Sequence, residues 1–135
     1  NRKLYLMEVS PRAGGNRLAE ILNYATDINI IEAETCKALE LPITTIHEPN
    51  YKGHFAILVL HADHEGIFNG VYIDEEFRHK HIIDEEIRIA IGDRVSDFTG
   101  ANAAIGSLFL RFDTREELDK SLHYQKEWLK IHLNP

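Results

Sequence analysis

The sequence predicts an α+β fold: a short strand–helix–helix segment leading into a mixed β lobe closed by a C-terminal helix. Three observations predict it. An apolar run from Leu4 to Val9 is followed by a Gly-rich turn and an amphipathic stretch. From His54 the pattern changes to β-branched and aromatic runs punctuated by glycine. Near the end, Thr114-x-x-Glu117 matches a capping box that opens a helical stripe.

Lys3 to Val9 is apolar on both faces, the mark of an interior strand. Pro11 ends it, and Ala13-Gly14-Gly15 is a flexible turn. Asn16 is placed to cap the next helix. There Leu18, Ile21, Leu22 and Ala25 lie along one face. A second helix is expected from Ile30 to Leu39, stopped by Pro42. Ile43 to Gly53, with Pro49, reads as a connector, which divides the chain into 1–46 and 47–135.

In the second part, Phe55 to Leu60 and Ile67 to Ile73 are expected strands. Ile83 to Ile91 alternates, with Ile87, Ile89 and Ile91 on one face, until Gly92-Asp93-Arg94 turns the chain. Ile105 to Phe112 alternates again, with Leu108, Leu110 and Phe112 facing one way. The last helix is expected to carry Leu118, Leu122, Gln125, Leu129 and His132 on one stripe, with Trp128 beside it. It reads as a packing helix, with a homodimer contact as the other reading.

The chain has 135 residues, 44% of them apolar and 27% charged, an ordinary globular balance. Its net charge of −7 argues against nucleic acid as a partner. The acidic runs 74–76 and 84–86 read as solvated faces. The single cysteine, Cys36, excludes an intrachain disulfide and fits a reducing cytoplasm. No apolar run reaches membrane-spanning length. The chain opens on Asn1 and enters an apolar run at once, which reads as a piece of a longer protein.

The chemistry-bearing residues concentrate in Glu8-Val9-Ser10-Pro11-Arg12-Ala13-Gly14-Gly15-Asn16-Arg17. Strand alternation puts Glu8 and Ser10 on one face. A carboxylate in an apolar strand needs a partner. Arg12 is one, as a structural ion pair; a divalent cation, which prefers oxygen ligands, is the other. The Arg12 fork suits phosphate or carboxylate. Gly14 and Gly15 let a ligand approach the backbone, and the amides opening the helix at Asn16 favour an anion. These parts describe either a metal–phosphate site at a strand end or a strand edge with a salt bridge and a turn.

The run MEVSPRAGG, with LAEIL and a following Ala-Thr-Asp, resembles the second metal-binding strand of ATP-grasp enzymes, where Glu-x-Asn-Pro-Arg precedes a Gly-rich turn and a helix. The resemblance implies that Glu8 and Ser10 hold Mg²⁺ on ATP. It also implies that Arg12 holds the transferring phosphoryl group or the acyl phosphate, that Asn16 joins Glu8 and Arg12 in binding the nucleotide, and that Gly14, Gly15 and Arg17 border the substrate with Arg12. Ser10 departs from the family's Asn, and a hydroxyl is the poorer Mg²⁺ ligand. The span from His54 to Leu133 is similar to the lobe that follows the grasp in L-amino-acid-ligase-like members. The phosphate-lid loop, the adenine-side Lys pair and a second acidic ligand are absent from these residues.

What the resemblance implies is the C-terminal end of an ATP-grasp domain followed by a post-grasp lobe. The parent would be a carboxylate–amine ligase acting through an acyl phosphate, and this piece alone would be inactive. The alternatives are a biotin-carboxylase-like or carbamoyl-phosphate-synthase-like relative, or a non-catalytic interaction module whose Glu8–Arg12 pair is structural. His61/His64 and His79/His81 lack a zinc spacing and read as surface or connector residues.

Overall fold

The computed structural model describes residues 3, 5, 6, 9, 14–100 and 103–135. It contains two compact units, Asn1–Lys52 and Gly53–Pro135. Among the described residues, no helix is long and apolar enough to cross a membrane.

In the first unit, α1 spans Leu18–Thr26 and α2 spans Ile30–Ala38. Asp27, at φ 63°, ends α1, its amide donating to the Asn23 carbonyl at 2.9 Å. Asn29 opens α2: its side-chain oxygen accepts from the Glu32 amide at 3.1 Å. The end of α2 differs from the expected proline stop. Glu40 turns left-handed at φ 56°. The Glu40 amide then donates to Lys37 O at 3.3 Å and the Leu41 amide to Cys36 O at 2.8 Å. This is a Schellman closure, so the helix is finished before Pro42 is reached.

The stretch expected as a connector folds back onto this unit instead. The Asn50 amide donates to Thr26 O at 3.0 Å and the Lys52 amide to Ala25 O at 3.1 Å. Asp27 gathers the same stretch: its carboxylate accepts from Asn50 Nδ2 at 3.3 Å and from Lys52 Nζ. The Lys52 hydrogen bond is the main reason the Asp27 carboxyl lies below its usual range. The compact units therefore meet at Lys52/Gly53, beyond the expected division at 46/47.

The second unit carries two three-stranded sheets. β1 (His54–Leu60) and β3 (Ile82–Ile87) flank β5 (Gly106–Phe112). β4 (Arg94–Val95) and β6 (Leu129–Asn134) flank β2 (Gly66–Ile73). Among the described residues every pairing is antiparallel. As the central strand of its sheet, β5 is buried on both faces from Gly106 to Leu110. At Gly106 the strands approach so closely that a Cβ would sit 2.3 Å from Glu86 O. Leu60, Phe68, Ile73, Leu108, Leu110 and Leu129 join one apolar cluster, so the core draws on both sheets.

Three helices complete this unit: α3 (Glu75–His81), α4 (Arg115–His123) and the single turn α5 (Gln125–Trp128). Asp74 caps α3, accepting from the Phe77 amide at 2.9 Å, and Thr114 caps α4, accepting from the Glu117 amide at 3.1 Å. Within the expected acidic faces, Asp74 is thus a cap, and Glu85 pairs with Arg78. The expected long closing helix breaks at Tyr124, and the chain ends in β6 rather than in a helix. Leu129, Ile131 and Leu133 point inward between exposed Lys130, His132 and Asn134, a strand period, and β2 supplies the partner. β3 likewise ends at Ile87, short of the expected Ile91, and the chain then reverses into β4 through a turn at Ala90–Asp93, where the Asp93 amide donates to Ala90 O at 3.0 Å and Gly92 lies at φ 98°.

Candidate functional site

Glu8, Ser10 and Arg12 lie outside the described residues. Of the expected strand around them, Lys3, Tyr5, Leu6 and Val9 are described; they are exposed and belong to neither sheet. Both described sheets are built entirely from residues after Gly53.

Gly14, Gly15, Asn16 and Arg17 are described and form the approach to α1. The Leu18 amide donates to Gly15 O at 3.3 Å. Asn16 and Arg17 both take left-handed φ, at 56° and 59°. That conformation costs an ordinary L-residue roughly 1–2 kcal/mol, and asparagine tolerates it better than arginine. Arg17, not Asn16, occupies the cap position, and no side chain caps the helix. The expectation that Asn16 caps α1 is corrected: its own φ places it one residue outside, in the turn. A Cβ added to Gly15 would meet nothing within 4 Å, so that stretch of backbone is open.

Arg17 already holds an anion. Its guanidinium donates to the Glu20 carboxylate over 2.5, 2.9 and 3.0 Å. Glu20 also places negative charge in the first turn of α1, where the helix dipole favours it. A substrate anion reaching Arg17 would therefore compete with a carboxylate held by geometry within the same turn.

The histidines do not assemble a metal centre. Among the described residues, no three or more His, Cys, Asp or Glu side chains converge on a point that could hold a metal ion. His79 and His81 sit on α3 rather than on a strand, so their two-residue spacing separates them. His79 is exposed. His81 is buried, with Nδ1 3.1 Å from Arg111 O, Nε2 3.5 Å from Glu117 and its ring stacked 4.5 Å from Phe112. Lys80 donates to the same Glu117 carboxylate at 2.6 Å. This cluster knits α3 to β5 and α4. His61 is exposed and its ring lies 4.4 Å from that of Phe98.

Two clefts of the second unit were not foreseen. One, of about 430 Å³, lies between β1 and β6, with His61, Asp63, His64, Lys126 and Lys130 on its rim. The other, of about 250 Å³, is lined by Ile87, Ile89 and Ile91 with the Arg78–Glu85 pair. Their residues come together from segments far apart in the chain, and no local pattern announces such a meeting.

No family model and no curated protein sequence matches the chain. Solved structures do. Phosphoribosylglycinamide synthetase from Anaerococcus prevotii superimposes with a TM-score of 0.75 at 16% identity, over 96% of this chain and 34% of that one. L-amino acid ligase from Bacillus licheniformis superimposes with a TM-score of 0.76 at 17% identity, over 97% of this chain and 33% of that one. Both are ATP-grasp enzymes, and at this identity the likeness establishes a shared fold. The chain spans about a third of the length of each.

Proposed function

We propose that this chain forms the C-terminal part of an ATP-dependent carboxylate–amine ligase working through an acyl phosphate. One observation carries the reading: almost the whole chain shares its fold with a third of a synthetase and a third of a ligase. The EVSPRAGG run at Glu8–Gly15 supports it from the sequence side.

The donor set fits Mg²⁺ and ATP in kind. Glu8 offers a carboxylate and Ser10 a hydroxyl, both hard oxygen donors. The open backbone at Gly15 gives an anionic group room to approach main-chain amides. Two consecutive non-glycine residues in the left-handed region, Asn16 and Arg17, are the kind of backbone strain that gathers at ligand sites.

In this reading Glu8 and Ser10 would hold Mg²⁺, and ATP would supply the phosphoryl group that activates the substrate carboxylate, leaving as ADP. Arg12 would neutralise the phosphoryl oxygens during transfer and then hold the acyl phosphate while the amine attacks its carbonyl and inorganic phosphate departs. Gly14 and Gly15 border the substrate, and Asn16 turns the chain so that the amides opening α1 face it. Arg17 orients the substrate carboxylate by exchanging its Glu20 partner for it. The rest of the nucleotide site belongs to a parent polypeptide, and the 135-residue chain alone is inactive.

One observation favours a non-catalytic module: Arg17, one of the proposed anion ligands, is already paired with Glu20. Turnover separates the two readings. In the parent protein, ADP release that depends on a carboxylate, with hydroxylamine trapping of the acyl phosphate, is expected to fall about 10²–10³-fold in Arg12→Ala. A comparable loss is expected in Glu8→Gln. Unchanged turnover in both variants rejects the site.

A further inference from the structure

The two sheets of the second unit leave a gap between their edges. β1 ends the order of one sheet and β6 that of the other. Among the described residues neither has a further strand on its outer side, and the cleft of about 430 Å³ opens between them. Every residue that lines it belongs to the second unit, so it is a concavity of that unit alone. Its volume falls within the roughly 300–1,000 Å³ of small-molecule sites.

The lining is divided by chemistry. Its floor is aliphatic: Leu60, Ala62 and Leu129 are buried, and Ile131 and Leu133 are half-buried beside them. Strand alternation explains the β6 share, because Leu129, Ile131 and Leu133 all point inward. No Phe, Tyr or Trp lines the cleft, so a flat ring would find no stacking partner. The rim is cationic. Lys126 and Lys130 stand on it with His61 and His64, against one acid, Asp63. Asp63 lies 3.8 Å from Lys126, which leaves Lys130 without a counter-charge on the rim. On a chain of net charge −7 this is a local reversal of sign. Lysine on an edge strand also guards against strand-on-strand pairing, but a guard needs no hollow with an aliphatic floor.

We propose that this cleft binds a small amphiphilic anion: an unbranched aliphatic chain ended by a carboxylate. The chain lies along Leu129, Ile131 and Leu133, where each methylene taken out of water strengthens binding about fourfold. The carboxylate meets Lys126 and Lys130 at the rim, where neither charge has to give up its water. The site uses no residue of the Glu8–Arg17 run and stands whether or not the ligase reading does.

The test titrates octanoate, butanoate and octanol into the 135-residue chain, with the Leu and Ile methyl resonances as the readout. Octanoate is expected to shift the methyls of Leu129, Ile131 and Leu133 saturably. Butanoate should bind about tenfold more weakly or worse, for lack of chain. Octanol should also bind about tenfold more weakly, for lack of charge. Both lysines are exposed, so Lys126→Glu/Lys130→Glu leaves the fold intact, which circular dichroism checks. This double variant should weaken octanoate about tenfold and leave octanol unchanged. Absence of a saturable shift with octanoate overturns the proposal. So does equal binding of octanoate and octanol, or octanoate affinity that survives the charge reversal. Shifts produced only by anionic phosphatidylglycerol vesicles overturn it too, and assign the patch to a membrane surface.

Discussion

The indole of Trp128 lies face to face on the ring of Phe77, with centroids 3.8 Å apart and planes 9° from parallel. It joins the turn before β6 to α3, and Trp128 Nε1 donates to Ser121 O at 2.9 Å. Trp128→Ala is expected to cost about 3–5 kcal/mol, because it opens a cavity and strands a carbonyl. Phe77→Ala removes only the stack and costs less. Urea denaturation followed by far-UV circular dichroism measures both; in Phe77→Ala, the emission of the only tryptophan also shifts.

The Glu117 carboxyl titrates below its usual range, chiefly because Lys80 donates a hydrogen bond to it, with smaller help from the Lys80 and His81 charges. A carboxyl depressed in the folded state contributes stability above the unfolded value of about 4.5. That contribution is lost as pH falls through the lower folded value. The melting temperature is therefore expected to decline as the solution is acidified below about pH 4.5, and Glu117→Gln should flatten the decline. Calorimetric scans at stepwise lower pH on both proteins give the comparison; parallel curves would contradict it.

Glu40 closes α2 in the left-handed region, where glycine is the residue without a steric penalty. Glu40→Gly is expected to stabilise the first unit by about 0.5–1 kcal/mol, the relieved strain being partly offset by glycine's larger freedom when unfolded. A higher urea midpoint at unchanged slope is the expected result.

Gly106 allows β3 and β5 to approach where a Cβ would stand 2.3 Å from Glu86 O. Gly106→Ala must push backbone apart in the middle of a sheet, at a cost of about 1–3 kcal/mol. The control is Gly100→Ala, at a site where an added Cβ meets nothing within 4 Å. Amide exchange along β5 should accelerate in the first variant and not in the second.

Legibility from sequence followed the size of the local signal. β1, β2 and β5 announce themselves through β-branched and aromatic runs, and Thr114 marks the start of α4 as expected. α3 went unseen because Glu75-Glu76-Phe77-Arg78-His79-Lys80-His81 is short and has one large apolar residue; its packing comes from Trp128, fifty-one positions after Phe77. The closing strand was mistaken for helix because Leu122 and Leu129 also satisfy a helical stripe, and only β2 decides between the two periods. Within the candidate site, residue types suggested anion chemistry, but the sharing of Arg17 with Glu20 was not foreseen. That pairing depends on a left-handed turn at Asn16 and Arg17, and residues without glycine give no hint of it.

The return of residues 41–52 along α1 makes the first unit hard to cut apart. A protease nick in the exposed stretch Leu41–Thr44 would leave Asn50 and Lys52 still bonded to the carbonyls of Thr26 and Ala25, and to Asp27. The two fragments should therefore travel together on a sizing column in native buffer and separate only in denaturant. A protease would have to reach the Lys52–Gly53 junction to release the β lobe cleanly.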